Sequence, residues 1–229
     1  MTVGKPMKML LNFTISCISG KCFQQLYSMA DAVIVGKFVG TKGLAAVGAT
    51  GTITFLIIGF LMGVTTGVTV LTSQKFGAGR MDEMRKTVGN AAILSAVIAV
   101  VMTAVSMLGM HRLLVFMHTP EDIFDGAYGY IMIICAGIFT QVLYNLVSSI
   151  LRALGNSKTP LYFLIVSSVL NVVLDFIFIL NFSMGVAGAA WATILSQGVS
   201  ALLCLVYMLK KFPILRTGRA DWAWHGPMV

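Results

Sequence analysis

The sequence predicts an all-α integral membrane protein, a bundle of six transmembrane helices, and three observations carry that prediction. The 229 residues are 58% hydrophobic and only 10% charged, with a mean hydropathy of +0.91, whereas a soluble domain carries roughly 25% charged residues. The apolar residues gather into runs long enough to cross a bilayer core, which takes about 20 residues each. The 16 lysines and arginines lie in short clusters between those runs, a membrane-topology pattern. Because they form no stripe on one face, the net charge of +8 does not imply a nucleic-acid partner.

Spans are predicted near residues 9–35, 44–72, 87–109, 126–150, 159–180 and 187–209, with charges and turn formers between them. In the second, Gly59, Gly63 and Gly67 repeat every four residues on one helix face. Small residues at that spacing let helix backbones approach closely in lipid, either for tight packing or as a surface that slides during a conformational change. After it, GAGR at residues 77–80 reads as a helix-ending turn. Between the fifth and sixth spans only NFSMGVAG, residues 181–188, marks a break; the apolar run is far too long for one span, so a short hairpin is expected there. Residues 1–211 thus form one six-helix lobe, followed by a cytoplasmic segment at 212–229.

Orientation follows from the placement of basic residues. With a cytoplasmic amino terminus, the inner segments hold Lys5, Lys8, Lys75, Arg80, Arg85, Lys86, Arg152, Lys158, Lys210, Lys211, Arg216 and Arg219, and the outer ones only Lys37, Lys42 and Arg112. Cytoplasmic loops carry the excess of lysine and arginine, so both termini are expected inside a plasma (inner) membrane, with the lipid bilayer as the main partner. No cleavable signal peptide is visible in the first apolar segment.

Few side chains here can do chemistry. The cysteines Cys17, Cys22, Cys135 and Cys204 all lie in apolar stretches without metal or disulfide spacing. His111, His118 and His225 are isolated. No nucleophile-and-base pair or phosphate-binding glycine loop stands at useful spacing, so neither an enzyme nor a cofactor is expected.

Of eight acidic residues, Asp82, Glu83, Glu121, Asp122, Asp125 and Asp221 fall in loops, helix ends or the tail; Asp31 and Asp175 alone lie within predicted spans. A charge there costs roughly 2.5–3.5 kcal/mol on insertion scales and usually faces a cavity on an ion or proton path. Tyr27 precedes Asp31 by four residues and Asn171 precedes Asp175 by four, so each carboxylate shares a helix face with a hydrogen-bonding group. Loss of water disfavours the charged form of a carboxylate, which suits proton exchange, and the same oxygens suit a hard cation such as sodium. Both readings stand, as does a purely structural one in which each aspartate braces a helix break. Lys21 sits in the body of the first span, where snorkelling would stretch its stem; it lines an aqueous cavity or it is a damaging departure.

Several segments taken together resemble the multidrug and toxic compound extrusion family. They are Gly4-Lys5-Pro6 with Lys8, QQLYSMADAVIVGKFVG (24–40), GLAAVGAT (43–50), TTGVTVLTSQKFGAG (65–79), RALGNSKTP (152–160) and NVVLDFIFI (171–179), in the order of that family's amino-terminal lobe. The resemblance implies a secondary transporter that exports cationic, often aromatic drugs in exchange for sodium or protons. It also implies a cation or proton site at Asp31, Asn171 and Asp175, with Tyr27, the sixth-span Thr193 and the fourth-span Tyr130 beside it, sodium being held by the first three.

Two residues depart from the family pattern. Ser16 stands where a proline is often found in the first helix, and Lys21 where a neutral polar residue is common. Without proline a helix keeps its backbone bonds and bends less readily. The resemblance further implies twelve helices in two lobes with the drug cavity between them. This chain is therefore expected to be the amino-terminal half, with residues 212–229 as a truncated cytoplasmic inter-lobe linker and a missing carboxy-terminal lobe, or a second copy in a homodimer, as partner. Two other functions fit less of the sequence: a lipid-linked saccharide flippase of the same superfamily, and a membrane fragment that transports nothing.

Overall fold

The computed structural model describes residues 6–212. Lys5, Arg216 and Arg219 of the charge pattern, Asp221, His225 and the predicted linker beyond Phe212 lie outside the described residues.

Among the described residues all regular structure is helical. Seven α-helices follow one another: α1 (Pro6–Phe38), α2 (Thr41–Gly77), α3 (Met81–Phe116), α4 (Glu121–Ala136), α5 (Ile138–Ala153), α6 (Lys158–Phe176) and α7 (Gly185–Lys211). Helices α4 and α5 meet at a 46° bend; counted as one broken rod, they make six rods in the lobe. Four helices, and the bent pair taken as one, are long and apolar enough to cross a membrane. Helix α1 is not among them: its 33 residues reach about 50 Å at 1.5 Å per residue, but it carries Lys8, Lys21, Asp31 and Lys37.

The helices run past the predicted spans because hydropathy marks only the stretch that meets lipid. Helix α3, expected over 87–109, extends to Met81–Phe116, taking in Asp82 and Glu83, whose negative charge in the first turn complements the amino-terminal end of the helix. Gly79, with φ of +73°, takes the left-handed turn that ends α2 after Gly77, as GAGR predicts.

The bend at Gly137 was not expected. No proline stands there; a glycine does, and a Cβ on Gly137 would overlap Ile194. A side chain of α7 thus packs directly against the backbone at the bend. The Gly137 carbonyl accepts from the Thr140 hydroxyl at 2.8 Å as well as from the Thr140 and Gln141 backbone N–H groups at 3.1 and 3.3 Å.

At its far end α6 widens into a π-turn, Ile177–Asn181, and the chain reverses through Ser183 (φ +52°) and Gly185 (φ +58°). This is the hairpin that NFSMGVAG marks. Gly188 closes it: a Cβ there would lie 3.2 Å from the Phe178 carbonyl carbon and 3.1 Å from its Cβ, so α7 packs directly on the π-turn.

Helix α7 is the centre of the bundle, packed most extensively on α6 and α5 and also against α4. Three apolar clusters hold the rods together. One near the basic end joins Met84, Ile150, Leu151 and Cys204; a second joins Leu61, Met110, Leu114 and Ile131 across α2, α3 and α4; a third joins Val35, Tyr130, Ile179 and Ala189. Outside them, Phe55, Val100, Leu108, Phe116 and Val169 are among many large apolar side chains left exposed, as lipid contact requires. The glycine face of α2 corrects one expectation. Among the described residues nothing lies within reach of a Cβ on Gly59, Gly63 or Gly67, so they make no tight helix contact there.

Candidate functional site

The helix pattern places Asp31 on α1 and Asp175 on α6, and the packing of α6 between α1 and α7 carries the two carboxylates inward. Both are buried, Asp175 completely and Asn171 nearly so. The carboxylates interact directly with one another, although they are 144 residues apart in sequence.

The surrounding groups supply oxygen and very few donors. Asn171 donates through Nδ2 to Thr193 Oγ1 at 3.4 Å, and Thr193 Oγ1 in turn donates to the Ala189 carbonyl at 3.0 Å. Asp31 Oδ1, Asn171 Oδ1 and both carboxylate oxygens of Asp175 are buried without a hydrogen-bond partner on the protein. None of the three ion pairs among the described residues involves either aspartate. Unpaired buried acceptors cost about 1–3 kcal/mol each, more when charged, and two adjacent carboxylates repel. A proton shared between them, or a hard cation held by the same oxygens, removes both penalties. The donor set, two carboxylates with an amide and a hydroxyl oxygen, is oxygen only, which is the chemistry sodium takes.

Tyr130 is buried on α4 within electrostatic reach of Asp31, Tyr27 and Asp175. Tyr27 lies one turn before Asp31 and feels its charge. The structure therefore brings all six predicted residues, Tyr27, Asp31, Tyr130, Asn171, Asp175 and Thr193, into one region between α1, α4, α6 and α7.

A cavity of about 430 Å³ opens beside this cluster, between the first half of α1, the second half of α2, and α5, α6 and α7. Tyr27 is the only one of the six predicted residues that lines it. Its hydroxyl accepts a hydrogen bond from Gln197 Nε2 at 3.5 Å, and Gln197 lines the cavity too. Sequence reasoning missed Gln197. A signal existed, since it follows Thr193 by four residues on the same face of α7. Lys21 also lines the cavity, with its Nζ on Met62 Sδ at 3.5 Å, so of its two readings the structure supports the cavity. Ser16 sits at the rim of the same cavity in an unbroken α1.

Comparison with known proteins points one way. The MatE family model matches residues 17–177. The chain is 34% identical over 209 residues to the probable multidrug resistance protein YpnP of Bacillus subtilis (strain 168), a match covering 91% of this chain and 47% of the relative. Among solved structures it superposes on a crystal structure of MATE in the bent conformation with a TM-score of 0.91 at 28% identity, covering 98% of this chain and 50% of that one. The straight conformation matches with a TM-score of 0.89 at 29% identity over the same shares, so the likeness does not choose between them. The chain spans about half the length of the curated relatives it matches.

Proposed function

Because this chain belongs to the MatE family of multidrug and toxic compound extrusion transporters, we propose that it is the ion-coupling lobe of an exporter of cationic organic compounds. The observation that carries the reading is the pair Asp31 and Asp175, buried and adjacent, with three of their four oxygens lacking any donor. Such a pair holds a proton or sodium ion tightly when closed and gives it up when the helices part, which is the exchange an antiporter needs. Asn171 and Thr193 add oxygens on the α6 and α7 sides, and Tyr130 and Tyr27 flank the pair.

A second lobe, supplied by a longer chain or by another copy, completes the cargo path in this reading. Both ends of the lobe face the cytoplasm of a plasma-membrane protein, as the lysine and arginine clusters favour. The transport reading involves no chemical conversion of the cargo. The kinship with multidrug proteins does not favour a lipid-linked saccharide flippase.

The test is efflux of a fluorescent cationic dye from cells producing the lobe alone or joined to a second six-helix lobe, in sodium and sodium-free media. Efflux that follows an imposed ion gradient and disappears in Asp175→Asn, with membrane insertion intact, supports the reading. Efflux unchanged in that variant under a maintained gradient refutes it.

A further inference from the structure

The cavity beside the carboxylate pair has the opposite sign. Lys21 from α1 and Arg152 from the last turn of α5 both line it, and among the described residues no aspartate or glutamate does. The two cations lie close enough to repel one another. Among the described residues neither forms an ion pair, and Lys21 Nζ donates to the thioether of Met62, a weak acceptor. Around them stand neutral groups that can donate, among them Gln24, Thr66, Gln141, Asn145 and Ser149.

Lys21, in the body of the first span, is costly unless something answers it, and Arg152 at the basic end of α5 adds a second positive charge to the same cavity. Water answers them in part. An anion seated between them does more, because it converts their repulsion into two attractions and meets the surrounding hydroxyls and amides as an acceptor. The volume of about 430 Å³ falls within the range of roughly 300–1,000 Å³ typical of small-molecule sites, so the cavity has room for the organic body that carries the charge. A guanidinium also pairs carboxylate or phosphate through two parallel bonds.

We propose that this cavity binds an organic anion, a carboxylate or phosphate, between Lys21 and Arg152. The lobe then holds two sites of opposite charge in series: an acidic one for the coupling ion and a basic one about 15 Å away, ten residues along α1 at 1.5 Å each. The Tyr27–Gln197 contact lies between them. Counting the anion as the acidic group of a zwitterionic cargo rests on the exporter reading above; the binding itself does not. A phosphate on a lipid headgroup presents the same chemistry, and the probes separate the two sources.

The experiment is calorimetric titration of the purified full chain in neutral detergent with benzoate, with dihexanoyl phosphatidic acid, and with benzylammonium as a cationic control. Saturable binding of either anion is expected, weaker at high salt, reduced about tenfold by Lys21→Gln or Arg152→Gln, and largely restored by Lys21→Arg. Benzoate binding identifies a small organic anion as the ligand, and binding of phosphatidic acid alone identifies a lipid headgroup. Failure of both anions to bind, equal affinities in wild type and both glutamine variants, or benzylammonium binding as tightly as benzoate overturns the proposal. Should a glutamine variant lose its helical circular dichroism, the salt dependence and the Lys21→Arg variant still decide. Dye efflux is measured separately, so failure here leaves the exporter reading standing and failure there leaves this one.

Discussion

Gln197 donates through Nε2 to the Tyr27 hydroxyl at 3.5 Å, joining α7 to α1 between the basic cavity and the carboxylate pair. Tyr27→Phe keeps the ring and removes the acceptor, leaving the amide without its partner, and should cost about 1 kcal/mol. Gln197→Leu should cost a similar amount. The double variant should lose less than the sum, because both changes break the same bond. Thermal unfolding of the four proteins in micelles measures this; strictly additive losses would mean that the contact contributes nothing.

The carboxylate pair should trade stability for ion binding. In Asp175→Asn one of two adjacent buried charges disappears and an amide donor is placed beside Asp31, whose Oδ1 lacks one. The ion-free protein should gain roughly 1–3 kcal/mol and its melting temperature should rise. The added stability that saturating sodium or acid gives the wild type, about 2.7 kcal/mol at a hundred times the dissociation constant, should vanish. A variant that melts lower than wild type without ligand would show that the carboxylates already have donors.

Much of this arrangement is legible in the sequence, because apolar periodicity and charge exclusion act over one helix at a time. The six rods follow from the lengths of the apolar runs, and the two intramembrane aspartates stand out against a chain this sparing of charge. Their helix partners Tyr27 and Asn171 follow from a four-residue spacing. What periodicity cannot carry is any relation between helices. The bend at Gly137 lies in an apolar run that reads as straight, and Ile194, the side chain packed against it, is 57 residues away. Arg152 reads as a loop cation at a helix end, and only packing sets it opposite Lys21. The Gly59, Gly63 and Gly67 repeat shows the same limit: spacing says that close approach is allowed, but no described residue makes it.

Two glycine substitutions should act with opposite sign. Gly188→Ala puts a methyl group 3.2 Å from the backbone of Phe178 on the π-turn, where overpacking costs typically about 1–3 kcal/mol. Because the π-turn begins two residues after Asp175, the displacement should also weaken sodium or proton binding. Gly59→Ala meets nothing within 4 Å and gains helix propensity of up to about 1 kcal/mol. Melting temperatures of the isolated chain distinguish the two, and a loss at Gly59 would reveal a contact to a second copy.

Helix α1 runs unbroken from Pro6 to Phe38, with Ser16 at the rim of the basic cavity. Ser16→Pro removes one backbone donor and drives the ring against the carbonyl four residues earlier, at a cost of about 3 kcal/mol or more. A proline kink exceeds about 20°, so the first turn of α1, some 13 Å before the substitution at 1.5 Å per residue, should swing by about 5 Å. Spin labels at Met7 and Ser73, with the native cysteines replaced by serine, report that distance directly. Asp31 lies fifteen residues beyond the substitution, about 22 Å along the helix, so its affinity for the coupling ion should change by less than about threefold, well under the tenfold that 1.4 kcal/mol represents. An unchanged label distance would mean that the contacts of α1 with α6 and α2 hold it straight against the proline. A large loss of ion affinity would mean instead that bending at residue 16 is transmitted to the carboxylate pair, through the Tyr27–Gln197 contact that lies between them.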